Sequence, residues 1–371
     1  LCNSQPTRKG SPMLNRSIKF ILTVLALALL PAASAAAAGH SGAVVFSRAI
    51  TAVEETKSGK VEKTEGGLYA AKEGHLNQLT EDPTDSEPDF SADGRKIAFV
   101  RAGDIWAMRA DGTGQHKLTS GAEVDSRPQF DPKGHYVAFT RAGTEGGSRD
   151  LYRVNLGGSA RPLVTSAGDE HEASFSPDGK TIVFVRSMAE AGGGSADDIY
   201  SVRPSGAGLA RLSKTGHIDE FSPRYFKGGI VFSRGQSGEG PGAYADIFTM
   251  RRNGTKVKVL VAGAGSSFVE DVAPAAGMLL FRRDQGLWVK KIGPGRAHKL
   301  SQVADNSATN SVFSSDGRKV AAFIATDEAE TLSAIDVASR RSSQLAEGFA
   351  LESGSTATTI GSVMTWQPVR R

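Results

Sequence analysis

Pro88-Asp89-Phe90-Ser91-Ala92-Asp93-Gly94-Arg95-Lys96-Ile97-Ala98-Phe99-Val100-Arg101 decides how this chain folds. Phe90 closes a short first strand. Asp93-Gly94 supplies a hairpin turn where a positive φ is required. Residues 97–100 then run apolar without alternation, as in a strand buried on both faces. Asp104-Ile105-Trp106 opens a third strand, and Lys117-Leu118-Thr119 ends a fourth.

The unit repeats. Phe130-Asp131-Pro132-Lys133-Gly134 leads to Val137-Ala138-Phe139 and Asp150-Leu151-Tyr152. Phe175-Ser176-Pro177-Asp178-Gly179 leads to Ile182-Val183-Phe184, Asp198-Ile199-Tyr200 and Arg211-Leu212-Ser213. Weaker copies centre on Phe232, Phe281 and Phe323, with a partial one at Phe46. These phenylalanines, with Phe99, Phe139 and Phe184, recur roughly every 40–50 residues, the period of propeller blades. The third strand carries an aromatic at one register: Tyr69, Trp106, Tyr152, Tyr200, Phe248 and Trp288.

The first unit lacks an opening strand, and Val363-Met364-Thr365-Trp366-Gln367-Pro368 reads as the missing piece. The expected fold is all-β: one seven-bladed β-propeller of four-stranded blades over residues 40–371, closed by the C-terminal strand pairing with the N-terminal blade. Closure removes the open sheet edges that invite aggregation.

The Ser176-Pro177-Asp178-Gly179 turn and its repeats resemble the TolB-like, WD40-like (PD40) propeller family, over roughly residues 43–368. The resemblance implies the propeller. TolB itself carries a separate α/β domain before a propeller usually counted as six-bladed, and related enzymes carry an α/β-hydrolase after theirs. Neither addition is expected here.

Residues 1–39 read as an upstream extension and a secretory signal. Arg16 and Lys19 follow Met13, residues 20–30 are unbroken apolar, and small residues follow Pro31. Cleavage is expected between Ala35 and Gly39, with an uncleaved anchor as the alternative; residues 1–12 read as an over-extended frame. Arg8, Lys9, Arg16 and Lys19 account for the net charge of +4, and the remainder holds 40 charges of each sign. That balance argues against nucleic acid, which needs a basic surplus. The one cysteine, Cys2, precedes Met13, so no disulfide and no lipid-bearing cysteine is expected after cleavage.

Charge recurs at one end of the blades. Arg48, Arg101, Arg141, Arg186, Arg234 and Arg283 each stand two places beyond a ruler phenylalanine. Asp104, Asp150, Asp198 and Asp246 start third strands on the same face, and Asp85, Glu87, Asp125, Glu170, Glu172, Asp219 and Glu220 precede first strands there. Two readings follow: intra-blade ion pairs, or a charged funnel for a ligand, in which Arg48, Arg101, Asp104, Arg141, Asp150, Arg186, Asp198, Arg234 and Asp246 form the binding set. Longer connections on that face, at 48–67, 142–149, 187–197 and 235–245, contrast with tight Asp-Gly turns on the other, and variable loops on a rigid scaffold carry function.

Chemistry is thinly signalled. His171 and His217, with Asp169, Glu170, Asp219 and Glu220, could ligate a divalent ion, yet no His-x-x-x-His spacing occurs. There is no Gly-x-Ser-x-Gly elbow, and Asp111-Gly112-Thr113-Gly114 is a turn without a following helix. The expected protein is an exported, non-catalytic binding module, periplasmic or extracellular, monomeric, without metal or cofactor, docking a protein or peptide. The alternative is a propeller enzyme, a metal-assisted polysaccharide lyase or glycan hydrolase, with its site in the central channel.

Overall fold

A computed structural model describes residues 42–56, 59–144, 147–189, 195–216, 218–235, 244–263, 265–284, 286–302, 311–325, 330–346 and 355–368. These form seven four-stranded antiparallel sheets, with no helix among the described residues. Blade 2 is typical: Ser86–Phe90, Lys96–Arg101, Asp104–Arg109 and His116–Lys117 lie in that order from the ring's axis outward. Blade 1 alone departs from chain order, for Ser355–Trp366 is its inner strand beside Val44–Thr56. The expected closure is therefore present, with Trp366 opposite Val44 and Thr365 opposite Val45. Two further bonds secure it: the Gln367 N–H donates to Ala43 O at 2.8 Å, and its amide donates to Gly94 O in blade 2 at 2.8 Å.

Each seam between neighbouring blades is filled by one apolar cluster. Phe46 and Trp366 pack against Phe323 and Leu332 where blades 7 and 1 meet, and Val100, Ile105, Phe130 and Phe139 fill the seam between blades 2 and 3. All seven ruler phenylalanines are at most 1% exposed. Each stands opposite the third-strand residue of its own blade, as in Phe139↔Tyr152 and Phe184↔Tyr200. Burying such a side chain contributes about 2–3 kcal/mol, so the seams hold the ring together.

The repeat motifs act through hydrogen bonds. In the Ser-x-Asp-Gly turn the Ser91 hydroxyl donates to Asp93 at 2.7 Å and accepts the Lys96 N–H at 3.0 Å, while Gly94 takes φ +65°. Ser176 with Asp178 and Ser314 with Asp316 repeat the device. At the other end the Thr119 and Ser213 hydroxyls accept the N–H of Ile105 and Ile199, both at 2.9 Å, tying the fourth strand to the third.

Two segments expected as loops are largely strand. Val44–Thr56 pairs with Gly59–Lys72 from Val44↔Ala71 out to Thr56↔Gly59, so 48–56 and 59–67 are the arms of a protruding hairpin. Alternating β-branched residues Thr51, Val53, Val61 and Thr64 favour that conformation. Similarly, Ser187↔Asp197 through Ala189↔Ser195 extend the blade 4 hairpin. The rest of that connection, residues 190–194, lies outside the described residues, as do 145–146 and 236–243.

Candidate functional site

The face from which second strands leave and third strands begin carries the rim arginines. In blade 2, Arg101 donates to both oxygens of Asp85 at 2.6 and 2.7 Å. In blade 3, Arg141 does the same to Asp125 at 2.7 and 2.9 Å. Arg186 bonds Glu170 at 2.7 Å, and Arg234 bonds Glu220 at 2.9 Å. Blade 6 has a serine where the acid would stand, and Arg283 donates to Ser267 Oγ at 2.9 Å. Arg48 is buried at the matching register of blade 1.

The guanidiniums of Arg101, Arg141, Arg186 and Arg234 also lie over the third-strand aromatic: 4.8 Å from Trp106, 5.0 Å from Tyr152, 4.6 Å from Tyr200 and 4.8 Å from Phe248. The acids beneath, Asp85, Asp125, Glu170 and Glu220, are buried. Hydrogen bonding to Asp85 and Asp125 holds Arg101 and Arg141 above the ordinary arginine range. Burial pushes Glu170 and Glu220 up, against their arginines. The third-strand acids are engaged too: Asp104 with Lys117 at 2.6 Å, Asp150 with the Ser166 N–H at 3.1 Å, and Asp198 with Arg211. Asp246 stands opposite Arg234 in the ladder, half-buried. The nine residues of the expected binding set thus share one rim, spread over five blades.

A second feature is the cavity in the central channel, whose lining was not read from the sequence: Glu87 and Glu172, expected at the rim, stand here. It measures about 260 Å³ and is lined by the inner strands of all seven blades. Around it run Glu87 and Asp89, then Arg127, Glu172, Arg224, and Glu270 with Asp271; Val312, Phe313, Met364 and Trp366 complete an apolar side. The carboxylates stitch blade 2 to 3, blade 4 to 5 and blade 6 to 7. Asp89 accepts the Phe130 N–H at 2.8 Å, and Asp271 accepts the Phe313 N–H at 2.8 Å. Glu87 accepts from Arg127 N, Glu172 from Ser222 N, and Glu270 from Ser311 N at 3.3 Å. Burial raises Asp89 to about 7 and Asp271 to about 6. The available signal was an acid immediately before the strand-closing residue, as in Asp89-Phe90 and Asp271-Val272.

Of the two histidines considered for metal, His217 lies outside the described residues. His171 stands 3.2 Å from Ser187 Oγ, and burial holds its imidazole below the ordinary value. Among the described residues no group of three or more His, Cys, Asp or Glu is placed to hold a metal ion. No helix among them is long and apolar enough to cross a membrane.

Residues 84–241 match the family model of the TolB beta propeller domain. No curated protein matches the chain. Among solved structures, TolB from Acinetobacter baumannii is similar at 16% identity, with 86% of this chain and 82% of that chain covered and a TM-score of 0.53. Oligogalacturonate lyase from Vibrio parahaemolyticus is similar at 11% identity over 81% of this chain and 100% of that one, with a TM-score of 0.60. The acylaminoacyl peptidase of Pyrococcus horikoshii is similar at 14% identity over 72% and 46%, with a TM-score of 0.53. Likeness at these identities shows the fold alone.

Proposed function

We propose, from the premise that residues 84–241 belong to the TolB beta propeller family, that this protein is an exported, non-catalytic module that docks a protein or peptide partner on its rim face. The supporting observation is where large apolar side chains meet solvent. Val124, Met188, Ile218 and Tyr244 are exposed on the rim face of three consecutive blades, 3, 4 and 5. Exposed apolar groups gathered on one face beside polar neighbours mark contact surfaces. The rim arginines lie beneath this patch as its scaffold, held by their acids, so the contact is carried by apolar anchors with charge around them.

A photo-crosslinking residue placed at Met188 or Tyr244 in the living cell tests this. It should trap one defined partner, identified by mass spectrometry. The same residue at Leu209 or Val259, exposed next to and on the outer strands, should trap none. Equal crosslinking from both sets, or none from the rim, would remove the assignment.

The enzyme reading keeps one observation in its favour: Glu270, Asp271 and Arg224 share the central cavity, with both carboxyls raised by burial. Turnover of an anionic oligosaccharide by purified protein, abolished in Asp271→Asn, would establish it over the docking module.

A further inference from the structure

Blade 3 breaks the pattern of its siblings away from the rim. Arg153 on its third strand stands directly opposite Arg161 on its fourth. The same cross-strand position holds Ala70 and Asn77 in blade 1, Ala107 and His116 in blade 2, and Ser201 and Ala210 in blade 4. Blades 5, 6 and 7 hold Thr249 with Lys258, Val289 with His298, and Ala334 with Ser343. Only blade 3 opposes two guanidiniums there, and like charges directly opposed on a sheet destabilise it.

Nothing described neutralises the pair. Neither guanidinium forms an ion pair with a described residue, in contrast to Arg141 and Arg149 on the same blade. The nearby acid Asp131 is occupied, accepting the N–H groups of Lys133, His135 and Tyr136. Arg153 is held in place by the Tyr136 ring, 5.3 Å beneath it, and that ring is braced edge-on by Phe175 of blade 4 at 5.8 Å. Together His135, Tyr136, Arg153, Asn155, Ser159 and Arg161 line a pocket of about 370 Å³. Burial pushes the Tyr136 hydroxyl up to about 12, so it remains a donor.

We propose that this pocket binds a phosphate group, as the free anion or as a phosphoryl ester. Two planar guanidinium forks offer parallel pairs of donors. A carboxylate has two oxygens and is satisfied by one fork, whereas a phosphate carries enough oxygens and charge to engage both. Binding would offset the repulsion between Arg153 and Arg161, which the fold otherwise leaves uncompensated. The site lies on the outer half of blade 3, away from the rim face, so it stands or falls apart from the docking function proposed above.

The test uses purified protein at low ionic strength, with inorganic phosphate and acetate as probes. Calorimetry should show phosphate binding well above acetate, and phosphate should raise the melting temperature. Arg153→Gln and Arg161→Gln should each weaken phosphate binding about tenfold or more. Without phosphate, Arg161→Gln should melt no lower than the wild type, because it removes a repulsion. Cosedimentation with phosphatidic acid vesicles but not phosphatidylcholine, lost in both variants, would assign the pocket to an esterified phosphate. Binding of the free anion alone would assign it to the small ion. No phosphate response in either format, equal acetate binding, or a response unchanged in the double variant would overturn the proposal.

Discussion

Arg141 illustrates what a rim arginine does. Its guanidinium rests 5.0 Å from the Tyr152 ring centroid and bonds both oxygens of Asp125, which is 1% exposed. Replacing Arg141 by alanine leaves that carboxylate buried without its cation. The expected cost is about 3 kcal/mol or more, read as a lower denaturant midpoint at unchanged slope. Adding Asp125→Ala should recover part of the loss, since the stranded charge is then gone. Lys117→Ala breaks a pair whose lysine is 43% exposed, and should cost less than about 1 kcal/mol. Asp89 poses the opposite problem, a carboxyl raised from 3.8 to about 7 by burial. An acid that holds its proton more tightly when folded favours the fold at low pH, and that contribution is lost as pH climbs from about 4 through about 7. Asp89→Asn keeps an acceptor for the Phe130 N–H and removes the ionisation. Relative to wild type it should gain roughly 1–2 kcal/mol at pH 8 over its standing at pH 5, measured by urea unfolding at both values. An identical difference at the two pH values would show that Asp89 does not ionise against its burial.

Inner strands explain why the lining of the central cavity was hidden from the sequence while the blades were not. A blade announces itself through features that survive any register: a Ser-x-Asp-Gly turn, an apolar run, and an aromatic opposite the ruler phenylalanine. The rim pairs were legible for the same reason, because an arginine two places past Phe139 must face the start of the first strand in a simple hairpin, and it meets Asp125 there. Inner strands break that rule. Their pairing slips between Ser86 and Asp89, Ser126 and Gln129, His171 and Ser174, and Phe221 and Arg224. Within those slips Glu87, Arg127, Glu172 and Ser222 adopt φ of 51 to 53°, a left-handed conformation that side chains other than glycine rarely take. An irregularity of that kind resets which residues face the axis, and strict alternation then misplaces them. The protruding hairpin was missed differently: its charged residues Glu62, Lys63 and Glu65 read as loop composition, whereas the β-branched residues between them set its conformation.

At the scale of the whole ring, the decisive contact is the one that joins the two ends of the propeller. Six blades are built from consecutive strands, so each can form its sheet locally. Blade 1 cannot, because its inner strand Ser355–Trp366 comes from the far end of the sequence. That strand and the residue after it also reach the blades on either side. Met364 and Trp366 belong to the cluster shared with Phe323 of blade 7, while Gln367 reaches Gly94 of blade 2. Removing residues 363–371 should therefore do more than shorten one sheet. It would expose the edge of Val44–Thr56 and uncover Val44, Phe46 and Phe323, all at most 1% exposed in the intact ring. Apolar surface beside an open strand edge invites pairing with other chains. The truncated protein should elute as aggregate on size exclusion, and any soluble fraction should melt far below the full chain. Trp366→Ala offers a milder version, with closure intact and packing lost, and should cost about 3 kcal/mol or more. A soluble, monomeric truncation with an unchanged melting temperature would mean that the ring is held by its seams between blades 2 and 7 and does not depend on the closing strand.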